Sequence, residues 1–360
     1  MSRSILKTLS KTLFNTESFS AFIAPFNKAL PHTSSDDFHA AKVTHISDNN
    51  DEIFTLSLKV DSKFYFYPGQ YVELLVEING RFIKRCFSIS SSIEQFKKHN
   101  TIDLTIKKQV SGKVTPWLRQ NLALNTPVAI SQAKGEFILK SKAKDMLFIA
   151  SGSGITPFKS LLMSHLASGE LKQVNLMYFE RGEKHIFVKE FEQLAQNYPN
   201  FKLVKVNTAK QGRLSVALLN KFCDDFTNRN IYLCGSANMI TVNTQLLLNS
   251  SVARTQIFSE QFTSIQVADL NLKQDRIINY LKSNKTVSQV KEEQNNLLSV
   301  SQSNDIKANY GCGIGICHEC KCKKHSGIVF NTKTQTYSDN GEEDIQLCIS
   351  IPVTHVSLGL

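Results

Sequence analysis

Four of the chain's eight cysteines, Cys312, Cys317, Cys320 and Cys322, fall within eleven residues, and another stands further on at Cys348. The first three are spaced Cys-x4-Cys-x2-Cys, with 27 residues between Cys320 and Cys348. Three thiols so placed, with a distant fourth, suit two irons bridged by two sulfides, a 2Fe–2S cluster. Gly311, Gly313 and Gly315 let the backbone wrap such a cluster closely and aim amide N–H groups at the sulfurs. A structural zinc ion takes two paired knuckles instead, and only one C-x2-C is present here, although His318 and His325 lie nearby. Cys322 shares a strand face with Cys320 and is either a further ligand or a small buried apolar residue. Cysteines this sparse, gathered in one loop, favour a metal site in a reducing compartment over a disulfide scaffold, and no secretory signal pattern opens the sequence.

Two other stretches carry chemistry. In Ser151-Gly-Ser-Gly-Ile-Thr-Pro157, Gly152 and Gly154 permit a tight turn after an apolar run, and Pro157 suits the first position of a helix. Strand, glycine turn and helix start together make an anion site suited to a dinucleotide pyrophosphate, although a simple turn would leave the same pattern. In Arg85-Cys-Phe87-Ser88, an arginine can clamp a phosphate, an aromatic ring can lie on a flat ring, and a hydroxyl can bond a ring nitrogen. An ordinary exposed strand would also read this way.

These residues need elements to hold them. From about 41 to 140, segments such as Ile53–Val60, Tyr71–Ile78 and Ile102–Lys107 alternate apolar with polar between Gly-containing turns, predicting a small β-barrel. From about 141 to 262 strands alternate with helices, among them helices near Val188–Gln196 and Val216–Phe222, predicting a parallel sheet. Residues 263–274 read as a linker. Residues 275–360 hold strands at 276–282 and 285–289, a helix around 294–303, the cysteine loop and a closing strand. Residues 1–40 stand apart: Ile5, Leu6, Leu9, Leu13 and Phe14 share a helical face, with Arg3, Lys7 and Lys11 off it. Such a helix packs on its own protein, lies on a membrane surface, or serves as a transit peptide. The net charge of +11 fits a solvated basic surface or one that meets an acidic partner. No nucleic-acid-binding signature accompanies it, and no apolar run is long enough to span a membrane.

The motifs resemble, in order and spacing, the ferredoxin–NADP(H) reductase superfamily. Arg85-x-Phe87-Ser88 is similar to its flavin signature, with phenylalanine where tyrosine is usual. Gly112-Lys113-Val114-Thr115 is similar to the second flavin motif, which holds the FAD pyrophosphate. Gly152-x-Gly154-Ile155-Thr156-Pro157 resembles the nicotinamide-dinucleotide loop, and Cys234-Gly235-Ser236 the C-G-P motif beside the nicotinamide, with a serine that would loosen the turn. Glu260-x-Phe262 resembles the closing E-x-F. Ser131–Phe137 keeps only part of a further family pattern. Residues after 262 resemble a plant-type ferredoxin fused to the C-terminus.

The resemblance implies a multidomain chain: a Greek-key β-barrel flavin domain (41–140), an α/β parallel-sheet nucleotide domain (141–262) and an α+β β-grasp ferredoxin domain (275–360), after an N-terminal helical extension (1–40). It implies an NAD(P)H-dependent oxidoreductase with FAD rather than FMN and a 2Fe–2S cluster on Cys312, Cys317, Cys320 and Cys348. Ser88 would bond near the reactive flavin nitrogen, and Cys234 and Glu260 would shape the nicotinamide site. Arg181 occupies a position that often faces the cofactor and favours NADPH, while Glu180 beside it leaves NADH open. Electrons would leave to an acceptor protein: a membrane fatty-acid desaturase reached through residues 1–40, or a soluble oxygenase component or hybrid-cluster protein. A non-catalytic redox sensor is the alternative of another class. The expected location is cytoplasmic, with peripheral contact to the inner face of a membrane.

Overall fold

The structure is a computed structural model that describes residues 38–360 apart from 62–63, 79–80, 110–111, 142–143, 170, 183–184, 263–269, 271, 273 and 335. The amphipathic stretch expected before residue 38, and most of the expected linker, lie outside the described residues. The chain forms two compact units, one running up to residue 233 and including 252–258, the other formed by 234–251 and 259–360.

The first unit opens with β1 (Phe38–Asp48), β2 (Ile53–Val60), β3 (Tyr71–Ile78), β4 (Arg81–Ser88), helix α1 (Ile93–His99), β5 (Thr101–Lys107), helix α2 (Val114–Asn121) and β6 (Pro127–Ser131). The six strands lie in the order β4-β3-β6-β1-β2-β5, and a bridge between Ile89 and Leu104 joins the two ends. The sheet therefore curls into a barrel whose two end strands meet at that bridge. Its interior is aliphatic and aromatic, with Val43, Leu56, Leu58, Phe66, Leu74, Ile102 and Leu104 all buried. Each such side chain contributes about 1.5–3 kcal/mol through burial. The first strand begins at Phe38, three residues before the expected barrel start, because Phe38–Lys42 pair with Ser131–Pro127.

A parallel sheet follows, built from β7 (Met146–Ser151), helix α3 (Ile155–His165), β8 (Val174–Glu180), helix α4 (Val188–Asn197), β9 (Phe201–Asn207), helix α5 (Val216–Phe222), β10 (Asn230–Gly235), helix α6 (Ala237–Asn249) and β11 (Ile257–Gln261). Its strand order is β11-β10-β7-β8-β9. Met146–Ala150 and Val174–Phe179 are buried throughout, as strands covered on both faces must be. The barrel and this sheet are tied within the first unit by α3: Ser160 Oγ donates to Ser91 O at 2.7 Å, and Ile93 N donates to Ser164 Oγ at 3.0 Å. Gly69, at φ +98°, brings its backbone against Phe137 so tightly that a Cβ there would meet the Phe137 carbonyl at 2.0 Å.

The second unit carries β12 (Arg276–Tyr280), β13 (Lys285–Gln289), helix α7 (Leu297–Ser303), β14 (Lys321–Ser326), β15 (Val329–Asn331), β16 (Thr336–Tyr337), β17 (Glu343–Gln346), β18 (Ser350–Pro352) and β19 (Val356–Leu358). Five strands form a mixed sheet, β13-β12-β19-β14-β17, in which only β12 and β19 run parallel. Helix α7 buries Leu297, Leu298 and Val300 in the same apolar core as Ile278, Tyr280 and Leu358. This is the β-grasp arrangement. The helix starts at Leu297, later than the expected 294, because the Asn296 side chain accepts from Ser299 N at 2.9 Å and caps it. The strand expected to reach 282 stops at Tyr280, where the chain turns back with Asn284 at φ +50°.

Candidate functional site

The thiol loop leaves α7, runs through residues 311–320 without regular structure and enters β14; Cys348 arrives from a short 3-10 turn just before β18. The four sulfurs assort into two pairs. Cys320 Sγ and Cys348 Sγ stand 3.1 Å apart. Cys312 and Cys317 form the other pair, with Cys312 N donating to Cys317 Sγ at 3.1 Å and Cys317 N donating to Cys312 Sγ at 3.4 Å. Thiols this close hold protons unequally. The hydrogen bond that the two share pushes Cys348 well up and pulls Cys320 down to about 7, and the hydrogen bond with Cys312 pushes Cys317 up. No three possible metal ligands gather around a single point among the described residues. Two pairs suit two bridged irons, whereas one tetrahedral zinc needs four ligands on one centre.

The loop backbone supplies what thiolates require. Ile314 N and Ile316 N each donate to Cys312 Sγ at 3.4 Å, and Gly315 N donates to Cys348 Sγ at 3.1 Å. Such N–H groups stabilise negative sulfur and help set the potential of a bound cluster. Cys322 shares a hydrogen bond with none of the other four cysteines of this region: its sulfur contacts Lys323 O at 3.5 Å and the Gly359 amide, and its side chain is part of the module's apolar core. His325 pairs with Glu342 at 2.9 Å instead of facing the thiols.

The glycines make a direct prediction. A Cβ on Gly311 would stand 2.8 Å from Cys317 Sγ, so Gly311→Ala must displace that sulfur. Gly313, at φ +72°, has open space around a Cβ. Gly311→Ala is expected to lower cluster affinity about tenfold or more. Gly313→Ala should keep the cluster and lose about 1–2 kcal/mol of stability to left-handed strain. Iron content and visible absorbance after equal reconstitution distinguish the two.

In the barrel, β4 presents the second constellation. Ser88 closes the strand; its hydroxyl is buried and has no hydrogen-bond partner among the described residues. A buried hydroxyl left unpaired costs about 1–3 kcal/mol, so a ligand atom that completes it fits this place. Phe87 packs partly on the barrel core, and Arg85 donates from Nη1 to Lys84 O at 2.7 Å. Gly112 and Lys113 lead into α2, whose first residue is Val114. Thr115 Oγ1 accepts from Gln109 N at 2.8 Å and fixes that turn. The N–H groups at the start of α2 face no acidic side chain in the first turn, which leaves them suited to phosphate.

The dinucleotide turn follows β7. Gly152 takes φ +57° and opens a single 3-10 turn, Gly152–Gly154, that passes directly into α3. Helix α3 begins at Ile155, so Pro157 is its third residue and not its first; its missing N–H is still one that no helical partner would accept. Thr156 is buried, with Oγ1 donating to Ser153 O at 3.0 Å. Glu180 reaches toward this turn, its Oε1 lying 3.9 Å from where a Gly152 Cβ would be, while its Oε2 accepts from Arg181 N at 3.3 Å. Arg181 is exposed.

Cys234 and Glu260 come together in the second unit. Cys234 is fully buried; burial, with the Glu260 carboxyl next, pushes its thiol well up. Burial likewise pushes Glu260 up to about 8, with the Lys333 ammonium pulling the other way, and Glu260 Oε2 has no hydrogen-bond partner among the described residues. A carboxyl so placed is neutral at pH 7 and can donate. Gly235 O accepts from Phe262 N at 3.1 Å. Ser236 does not loosen its turn: it caps α6, its side chain accepting from Met239 N at 3.4 Å. Lys333, which donates to Gly315 O in the thiol loop at 3.0 Å, belongs to no motif read from the sequence. Its only signal there is the Asn-Thr-Lys-Thr turn that presents it.

Three domain families match the chain: an oxidoreductase FAD-binding domain over residues 38–138, an oxidoreductase NAD-binding domain over 148–245 and a 2Fe-2S iron-sulfur cluster binding domain over 280–353. The chain is similar to the glycine betaine monooxygenase reductase subunit of Chromohalobacter salexigens, at 23% identity covering 92% of this chain and 98% of that protein. It is similar to the ferredoxin reductase component of 3-ketosteroid-9-alpha-monooxygenase from Rhodococcus rhodochrous, at 26% identity over 81% and 86% of the two chains. Among solved structures, phthalate dioxygenase reductase shares the fold with a TM-score of 0.63 and 18% identity, covering 90% of this chain and 98% of that one.

Proposed function

We propose, from the premise that this chain is an oxidoreductase joining FAD-binding, NAD-binding and 2Fe–2S cluster-binding domains, that it is the reductase component of an oxygenase system. When bound, the flavin supplies two-electron acceptance from NAD(P)H with one-electron release, and the cluster supplies the one-electron exit. The observation that carries this reading is the thiol loop: two pairs of sulfurs, each met by backbone N–H groups, suited to a group that changes charge by one electron. In this reading Cys312 and Cys317 hold one iron, and Cys320 and Cys348 the other. Ser88 completes its hydrogen bond on the flavin ring, and the start of α2 faces the flavin phosphates. The turn from Gly152 to Pro157 receives the nicotinamide dinucleotide pyrophosphate. Glu260 and Cys234 bound the nicotinamide, with Glu260 holding a proton at Oε2.

The oxygenase acceptor is supported by the relatives, whose names describe reductase components of monooxygenases. Charge placement supports a particular way of meeting it. Residues 275–360 carry nine Lys and Arg against nine Asp and Glu, so the whole excess of +11 resides in residues 1–274. The exit module is neutral, and an acidic partner would be steered by the rest of the chain. A desaturase acceptor reached at a membrane rests on residues 1–40, of which 1–37 lie outside the described residues. Among the described residues no helix is long and apolar enough to cross a membrane. Arg181 beside the dinucleotide turn supports NADPH, and Glu180 reaching toward Gly152 supports NADH.

An anaerobic titration followed by visible absorbance tests the reading. NADPH or NADH is expected to bleach flavin absorbance and then cluster absorbance in one protein, and a purified oxygenase component added afterwards should restore the cluster band. Desaturase-containing membranes that restore it while soluble oxygenase components do not would move the acceptor to the membrane. Flavin that bleaches without the cluster following would overturn the electron path.

A further inference from the structure

Lys333 sits in the turn after β15. Asn331 Oδ1 accepts from the Lys333 and Thr334 amides at 2.9 and 3.1 Å, and Thr332 N donates to Ile349 O at 2.8 Å. The turn is thus tied to the residue after Cys348 and sends the Lys333 side chain to the thiol loop, where Nζ donates to Gly315 O at 3.0 Å. That carbonyl is one end of a peptide plane whose other end is Ile316 N–H, directed at Cys312 Sγ at 3.4 Å. The adjoining plane ends in Gly315 N–H, directed at Cys348 Sγ at 3.1 Å. Gly315 therefore joins the N–H groups that serve one cysteine of each pair. Only glycine fits there without displacement: at φ +75°, a Cβ would stand 2.7 Å from Ile349 Cγ2.

An ammonium on a carbonyl polarises the amide and strengthens the N–H at its far end. It also adds a positive charge beside sulfurs that become more negative on reduction. Both effects favour the reduced cluster. We propose that Lys333 is a positioning residue that raises the reduction potential of the cluster by anchoring the Gly315 peptide planes and charging them from behind. The inference rests on the ligand assignment of the proposed function.

The full chain, reconstituted with iron, sulfide and FAD, is compared as wild type, Lys333→Met and Lys333→Arg. Iron and sulfide content are measured first, then the cluster potential by spectroelectrochemical titration. The methionine variant is expected to hold a full cluster whose equilibrium with a reference dye moves about tenfold toward the oxidised form, about 59 mV for one electron. The arginine variant, which keeps charge and donor, should return most of that shift. A methionine variant at the wild-type potential overturns the proposal. A methionine variant that fails to take up a cluster does so too, and makes Lys333 an assembly residue. Wild-type protein without iron and sulfide overturns the ligand assignment instead, which separates the two failures.

Discussion

Cys348→Ser protein is expected to bind FAD and accept a hydride from NAD(P)H while its reduction of cytochrome c falls about 100-fold or more. Loss of a supporting partner around a metal costs about 10–100-fold, and loss of a ligand at least as much. Cys348 is also the acceptor for Gly315 N–H and the 3.1 Å neighbour of Cys320, so one substitution unmakes a pair and unseats the loop. Ferricyanide, which takes electrons from flavin directly, should still be reduced. The matched control is Cys322→Ser. Its sulfur contacts Lys323 O and the Gly359 amide and lies in the apolar core, so the cluster should survive with a modest loss of stability. Wild-type cytochrome c reduction by Cys348→Ser, or loss of the cluster in Cys322→Ser, would assign the fourth ligand to Cys322.

The second large effect is the pH dependence set by Glu260. Burial raises this carboxyl to about 8 from its ordinary value near 4.5. Between these values the folded protein binds a proton that the unfolded chain releases, so stability falls as pH rises through the window, by a few kcal/mol in all. The neutral form, which can donate from a buried site beside Cys234, predominates at pH 7. At pH 9 only about a tenth remains neutral, and NAD(P)H-driven flavin reduction is expected to drop about tenfold between the two, following the titration. Glu260→Gln keeps the shape and a donor at every pH. It should flatten that limb of the profile and leave the variant more stable than wild type at pH 9, but close to it at pH 5. Stopped-flow flavin reduction and thermal unfolding at pH 5, 7 and 9 measure both. A glutamine variant with an unchanged limb would place the titrating group elsewhere.

How much of this was legible beforehand depends on how local each feature is. The thiol spacing, the glycine turn before α3 and the alternation in the second half of β2 are written in adjacent residues, and the three domain types follow from such features; β3, expected to alternate, is instead buried from Tyr71 to Val76 because both of its faces are covered. Boundaries were less legible. Whether Phe38 belongs to the barrel is decided by β6, some ninety residues away, and where α7 begins is decided by the Asn296 side chain. Comparison with proline predicts a loosened turn at Ser236, and the cap formed by its hydroxyl is invisible to that comparison. Lys333 and the raised Glu260 carboxyl were invisible, since each depends on packing between segments far apart in the chain. No periodicity marks a lysine whose partner is the carbonyl of Gly315.

The arrangement that suits Cys320 and Cys348 to share an iron also exposes them once the iron is gone. Two sulfurs 3.1 Å apart, one with its proton held down to about 7, need little movement to join. Their oxidation by dissolved dioxygen gives up two electrons and two protons and closes a sulfur–sulfur bond across the place where metal must return. Protein handled in air after losing its iron would then refuse fresh iron and sulfide until a thiol reductant had reopened that bond.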